Sequence, residues 1–243
     1  MSIHEDVPGT LNAVLLVGGQ GTRLRSIVAD RQKILAEVVG RPFVTYLFDQ
    51  LAAAGFKRVI QCTGYHAKQV ENMLGSFYGS LRLEYSSEEQ PLGTAGALRL
   101  ALPHITSEHV LVMNGDSFCE VKLIDFWQFH QVHHAEATLC LTLLENTSRY
   151  GKVDTDKVGH IIRFNEKGTS QGKGWINAGI YLIHTESLAE IPPNRPVSLE
   201  REVFPTWIER NFFGFPSYGR FIDIGTSESY AAAEHFFSRG YNQ

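Results

Sequence analysis

The sequence has 243 residues, 43% of them hydrophobic and 20% charged, with a formal net charge of −4. That is enough chain for one large α/β domain or two small ones. The acidic balance and the lack of any Lys/Arg run argue against a nucleic-acid surface, and no apolar run reaches membrane-spanning length.

Taken in order, the polar stretch Met1 to Leu11 lacks the apolar centre of a signal peptide. Cys62, Cys119 and Cys140, without CxxC spacing, read as reduced thiols. Both features predict a cytoplasmic protein. Asn12 to Val17 reads as a buried strand, followed by a turn containing Gly18, Gly19, Gly21, Thr22 and Arg23. Such glycines let backbone N–H groups approach an anion, and an arginine adds a fixed positive fork, so this turn is a candidate phosphate site. It matches neither the P-loop nor the dinucleotide fingerprint. Asp30 to Val39 reads as irregular and contains Lys33. Arg41-Pro42 is expected to open a helix whose apolar face is Val44, Leu47, Phe48 and Leu51, with Gly55 as its cap.

Arg58 to Thr63 is a second strand, followed after Gly64 by a polar helix to about Leu74. Leu81 to Tyr85 alternates as a third strand. Pro91 and Gly93 mark a turn, and Thr94 starts a helix carrying Leu98, Ala101 and Leu102. The strand His109 to Met113 ends in Asn114-Gly115-Asp116, a carboxylate at the strand edge where open α/β sheets bind ligands. Lys122 to His134 is helical, with Leu123, Phe126, Trp127 and His130 on one side. His130 and His134 have HxxxH spacing, but Gln131 stands where a metalloprotease has its glutamate, so that pair is not read as a zinc motif. Beyond Glu136 the rhythm changes to strands, at Glu136 to Leu144, His160 to Phe164 and Trp175 to Ile183. Ser198 caps a helix reaching about Arg210, which Pro205 should end or kink. Phe221 to Gly225 is a short strand and turn, and Ser227 to Ser238 the last helix. The expected architecture is a Rossmann-like, mostly parallel α/β sheet flanked by helices, with a β-rich subregion, as one domain over 1–243. Its nucleotide half would span about 12–135 and its sugar-phosphate half about 136–237.

The unusual groups are the glycine turn, Arg23, Lys33, Asp116, Glu166-Lys167 and Asp223. Two aspartates at strand ends suit one Mg²⁺, and cations with a metal suit a triphosphate. This is equipment for phosphoryl or nucleotidyl transfer, in which catalysis is positioning and charge stabilisation.

In this order the motifs resemble those of the nucleoside-diphosphate-sugar pyrophosphorylases (sugar-1-phosphate nucleotidyltransferases). The resemblance rests on Leu16 to Leu24, Gly40-Arg41-Pro42-Phe43, Pro91 to Gly96, Asn114-Gly115-Asp116, Phe164 to Lys167, Ile176 to Gly179 and Phe221 to Gly225. It covers roughly residues 12 to 237. Arg149-Tyr150-Gly151, Ser198-Leu199-Glu200, Tyr230 and the compact length resemble the branch that acts on D-glycero-α-D-manno-heptose 1-phosphate with GTP.

The resemblance implies that Gly18, Gly19, Gly93 and Thr94 contact base and ribose, with Gly21, Thr22 and Gly115 also on the nucleotide. It implies that Arg23 and Lys33 hold the triphosphate, and that Asp116 and Asp223 bind Mg²⁺. Gly151, Glu166 and Asn177 would contact the sugar and Lys167 its phosphate. The sugar phosphate would attack the α-phosphorus and expel pyrophosphate, giving GDP-heptose for bacterial surface polysaccharide. Glu88 is a candidate base reader, because a carboxylate can accept from guanine N1–H and its amino group together. Lys33 lacks the flanking prolines usual in the family, and Ser227 stands where relatives often have proline. Alternatives are transfer to mannose or glucose 1-phosphate with GTP, UTP or dTTP, and a non-catalytic nucleotide-binding regulator. The sequence leaves monomer and homodimer open.

Overall fold

Ala13, Val14 and Leu15 are completely buried in β1 (Asn12–Leu16), because helices cover both faces of the sheet that this strand centres. The computed structural model describes residues 8–19, 32–165 and 172–238. After β1 come a two-residue ladder, β2 (Glu37–Val38) and β3 (Arg41–Pro42), and then α1 (Val44–Ala53). Next are β4 (Arg58–Thr63), α2 (Ala67–Leu74), β5 (Phe77–Tyr78), β6 (Leu81–Ser87) and α3 (Gly93–Ala101). The chain continues through β7 (His109–Asn114), β8 (Ser117–Cys119), α4 (Leu123–Val132) and β9 (Ala137–Leu144). The last stretch holds β10 (Val153–Thr155), β11 (Ile161–Phe164), β12 (Gly174–His184), α5 (Thr185–Ala189), α6 (Phe204–Trp207), β13 (Phe212–Ser217), β14 (Phe221–Asp223) and α7 (Ser227–Ser238).

The main sheet has eight strands in the order β13-β9-β12-β7-β1-β4-β6-β5. From β7 through β6 neighbours are parallel; β12 runs antiparallel to both β7 and β9, and β13 pairs parallel with β9. A mostly parallel half thus joins an antiparallel, β-rich half in one sheet. The chain leaves β1 towards β4 on one side and reaches β7 on the other, so β1 sits at the switch point where open α/β sheets form a crevice.

The apolar face expected of the first helix is present, with Val44, Leu47, Phe48 and Leu51 all fully buried. Each such side chain contributes about 1.5–3 kcal/mol through burial. The start of that helix differs from expectation. Val39 (φ 50) and Gly40 (φ 75) form the two-residue turn of a small hairpin, so Arg41-Pro42 is spent in β3 and the helix begins at Val44. Pro205 behaves as expected of a helix breaker. Leu199–Val203 winds as a wide π turn, and a new α segment begins at Phe204 with Pro205 in its first turn. Strand β13 is not apparent from the sequence, because Gly214 and Pro216 interrupt its apolar run; an edge strand tolerates both. Among the described residues no helix is long and apolar enough to cross a membrane.

His130 on α4 is 1% exposed. Its ring bonds Thr138 Oγ1 at 2.7 Å and His109 Nδ1 at 3.0 Å. Burial, and then the charges of His109 and His184, lower its pKa to about 3. The unfolded chain takes a proton near pH 6.5 that the native fold refuses. Stability should therefore be full above that pH and fall as pH drops towards 3, with a slope of up to about 1.4 kcal/mol per pH unit. In urea denaturation at pH 7 and pH 5, His130→Gln should lose less stability on acidification than the wild type; equal losses would show that His130 does not carry the effect.

Candidate functional site

The turn after β1, the end of β4 and the end of β6 meet at the carboxyl edge of the sheet. A Cβ on Gly18 would lie 3.0 Å from Glu88 Oε1, and one on Gly64 would lie 2.7 Å from the same atom. Glycine at both positions is what lets the Glu88 carboxylate lie over the turn. Glu88 N–H donates to Thr63 O at 2.8 Å, and Leu92 N–H donates to Glu88 Oε2 at 2.9 Å. Burial raises the Glu88 pKa, and the Leu92 N–H opposes the rise. Gly19 is open, with nothing within 4 Å of a Cβ there. Gly21, Thr22 and Arg23 lie outside the described residues.

On the other side of β1, Gly115 N–H donates to Leu16 O at 3.0 Å, and a Cβ on Gly115 would come within 2.6 Å of Val17 Cγ1. That close approach places Asp116 at the end of β7. Lys33 Nζ donates to Asp116 Oδ2 at 2.7 Å, with the lysine side chain 12% exposed and the aspartate 48%. Lys33 is held without flanking prolines: Gln32 Oε1 accepts the Lys33 N–H at 3.0 Å, and Lys33 O accepts the Ala36 N–H.

Asp223 ends β14, whose antiparallel ladder with β8 sets it opposite Ser117. Ile224 N–H donates to Asp116 O at 2.9 Å, which ties the two aspartate segments together. Asp223 is 13% exposed and accepts from the Tyr150 hydroxyl, from Arg149 Nη2 at 3.2 Å, from Gly225 N–H at 2.7 Å and from Ser229 Oγ at 3.2 Å. Burial alone would raise its pKa. The bonds from Tyr150 and the Gly225 N–H, with the Arg149 charge, outweigh burial and lower it. A Cβ on Gly225 would lie 2.5 Å from Asp223 Oδ1 and 3.7 Å from Lys33 Nζ. Lys33 thus lies on Asp116 near the Asp223 turn while Arg149 pairs with Asp223, and both carboxylates supply the hard oxygen donors that suit Mg²⁺.

A third group was not foreseen from the sequence. Thr94 Oγ1 donates to Glu200 Oε2 at 3.0 Å and accepts the Leu199 N–H at 2.8 Å, and Ser198 Oγ also donates to Glu200 Oε2. Glu200 Oε1 accepts from the Tyr181 hydroxyl at 3.5 Å, which in turn accepts from Asn177 Nδ2 at 3.0 Å and Asn114 Nδ2 at 3.5 Å. This network links the turn at Gly93-Thr94 to β12 and to the end of β7. Gly93 has φ +70, and a Cβ there would lie 2.5 Å from Val197 O, so only glycine fits. In β12 the pairing with β9 shifts between Asn177 and Tyr181. This bulge sets Gly179 (φ +77) against Asn114 and Ser117 and lets Asn177 Oδ1 accept the Gly179 N–H at 2.8 Å. Gly151 O accepts the Asn177 N–H at 3.4 Å, joining the segment after Tyr150 to the same strand. Glu200 looks in the sequence like an ordinary first-turn helix acid, and Tyr181 like a core aromatic. Glu166 and Lys167 lie outside the described residues.

The profile of the nucleotidyl transferase family matches residues 12–239. The chain is 36% identical over 229 residues to the D-glycero-alpha-D-manno-heptose 1-phosphate guanylyltransferase of Aneurinibacillus thermoaerophilus, covering 92% of this chain and 97% of that one. It is 34% identical to the mannose-1-phosphate guanylyltransferase of Mycobacterium tuberculosis, of whose length it spans 65%. Among solved structures, HddC from Yersinia pseudotuberculosis superposes with a TM-score of 0.84 at 30% identity, covering 93% of this chain and 99% of that one. A structure of HddC complexed with GMP-PN gives 0.82.

The bonds on Asp223 predict its titration. A depressed carboxylate adds stability above its unfolded pKa, and that stability is lost as pH falls through the folded value. Tyr150→Phe removes the first of the interactions that lower the pKa, so the Asp223 carboxyl resonance followed by NMR should titrate at higher pH in the variant. An unchanged midpoint would mean that the tyrosine bond does not hold the charge.

Proposed function

The chain belongs to the nucleotidyl transferase family and is an enzyme of the sugar-1-phosphate nucleotidyltransferase type, and on that premise we propose that it transfers the guanylyl group of GTP to D-glycero-α-D-manno-heptose 1-phosphate, releasing pyrophosphate. The observation that carries this reading is the joining of the Asp116 and Asp223 segments at the switch point, with Lys33 bonded to Asp116, beside the Gly18-Gly19 turn. A sequence separation of 83 residues between Lys33 and Asp116 closes to one hydrogen bond there.

In this reading Gly18, Gly19, Gly21, Thr22 and Gly115 lie along the nucleotide, and Arg23 and Lys33 neutralise its phosphates. Asp116 and Asp223 would hold Mg²⁺, which when bound supplies charge stabilisation to the phosphate oxygens. Lys33 then exchanges its bond to Asp116 for the triphosphate. Tyr150 and Arg149 keep Asp223 ionised. Gly151, Asn177 and Glu166 position the sugar and Lys167 its phosphate, so that the phosphate oxygen meets the α-phosphorus in line. The product, GDP-heptose, is an activated donor for a surface glycan.

Glu88 supports guanine as the base. Its carboxylate is desolvated over the glycine turn, where an unmet acceptor is costly, and guanine offers it two donors on one edge. The 36% identity over 229 residues to the heptose 1-phosphate guanylyltransferase of Aneurinibacillus thermoaerophilus supports the heptose. Mannose 1-phosphate is the second reading, supported by the mycobacterial similarity over most of this chain.

Pyrophosphate release should be measured for GTP, UTP and dTTP against heptose, mannose and glucose 1-phosphates. The reading expects release with GTP and the heptose; release with GTP and mannose instead would establish the second reading. No release with any pair would leave nucleotide binding without transfer. Glu88→Gln should lower the GTP-over-UTP preference about 10–100-fold, the worth of a hydrogen bond to a charged group. An unchanged preference would remove Glu88 as the base reader.

A further inference from the structure

Strand β7 carries Asn114 at its active-site end and His109 at the other, roughly 17 Å away at the rise of an extended strand. At that far edge His109 pairs across the ladder with His184, the last residue of β12. We propose that Glu108, His109 and His184 form a binding site for a divalent transition-metal cation, Zn²⁺ by donor type, separate from the nucleotide site.

One ligand atom from each of the three residues lies within 4.8 Å of the other two. His184 Nε2 is 3.5 Å from Glu108 Oε1, and the His109 and His184 rings stand edge-on with centroids 4.8 Å apart. Donors about 2.0–2.2 Å from a common tetrahedral zinc are themselves roughly 3.3–3.5 Å apart, so small side-chain movements complete the geometry. Two imidazoles and one carboxylate suit zinc and its neighbours rather than Mg²⁺ or Ca²⁺.

The groups behind His109 are already arranged. His109 Nδ1 meets His130 Nε2 at 3.0 Å, and His130 Nδ1 meets Thr138 Oγ1 at 2.7 Å. With the His109 proton on Nδ1, His130 Nε2 would accept it and Nε2 of His109 would be left for a cation, the outer-shell pattern of metal-bound histidine. His184 Nδ1 weakly accepts the Glu186 N–H at 3.3 Å, with Glu186 Oε2 4.0 Å away. Metal on Nε2 would move the ring proton to Nδ1, which would exchange the Glu186 N–H bond for one donated to the Glu186 carboxylate. His109 and His184 also line a cavity of about 1070 Å³, together with Glu136, Glu186 and Glu190. Three protein ligands beside an open cavity leave a coordination position for water or an exogenous ligand. A cation here would clamp the ends of β7 and β12, the strands that also carry Asn114, Asn177 and Tyr181.

His109 and His184 are 75 residues apart in sequence, which is why no short motif announces the site. The test uses the full chain without an affinity tag, stripped of metal. Zn²⁺ is titrated by calorimetry, Co²⁺ by visible absorption, and thermal unfolding is followed with and without Zn²⁺. The expected result is one equivalent of Zn²⁺ bound, ligand-field bands with Co²⁺, and a higher Tm. Glu108→Gln changes an exposed side chain, and His184→Asn keeps an acceptor at the α5 cap while deleting Nε2. Each should weaken binding about tenfold or more, and Thr138→Val, acting only through the relay, about 10–100-fold. Asp116→Asn should leave this binding intact. No stoichiometric binding by the wild type, binding unchanged in Glu108→Gln and His184→Asn, or binding lost in Asp116→Asn would each overturn the assignment.

Discussion

The carboxyl edge of the sheet holds two paired carboxylates, Asp116 with Lys33 and Asp223 with Arg149. The segments that carry Asp116 and Asp223 are tied together by the Ile224 N–H to Asp116 O bond, and each carboxylate has its own cation, Lys33 on Asp116 and Arg149 on Asp223. Lys33 Nζ is bonded to Asp116 and lies near the Gly225 turn that follows Asp223. Asp223 is the more buried partner and stays ionised because it is surrounded by donors from Tyr150, Arg149, Gly225 and Ser229. In the proposed reading Asp116 and Asp223 would hold a divalent ion, and Lys33 would turn to a phosphate of the nucleotide.

The rest of the fold serves this edge. Parallel strands β4, β1 and β7 end side by side, so the residues following each of them converge without long loops. Glycines at 18, 64 and 115 allow approaches that a Cβ would block, to Glu88 in two cases and to Val17 in the third. The antiparallel half contributes through the bulge in β12, which aims Asn177 and Tyr181 towards Glu200 and thereby fixes the turn at Gly93 and Thr94. The parallel half and the antiparallel half are therefore coupled by hydrogen bonds at the crevice as well as by the sheet.

How much of this was legible in the sequence depends on how local the signal is. Strand β4 and helix α7 carry self-contained patterns and match their expected bounds. The first helix started late because Val39-Gly40 forms a hairpin turn, a choice made by the β2–β3 ladder rather than by Pro42. Strand β13 was hidden by Gly214 and Pro216, which only its edge position excuses. In the site, Asp116, Asp223 and Lys33 each announce themselves by position or charge, and the fold brings them to one place. Tyr150 and Arg149 as partners of Asp223, and Glu200 as the hub joining Thr94 to Tyr181, depend on contacts spanning 74 and 106 residues, which no local pattern encodes.

The account rests on the two aspartates acting as one cation site during transfer. The most direct measurement is the Mg²⁺ dependence of pyrophosphate release from GTP and heptose 1-phosphate in the wild type, in Asp116→Asn, in Asp223→Asn and in the double variant. The account predicts that release requires Mg²⁺, that each single variant loses most of it, and that the double variant loses little more, because the carboxylates work as a unit. Mg²⁺-dependent release persisting in the double variant would contradict it.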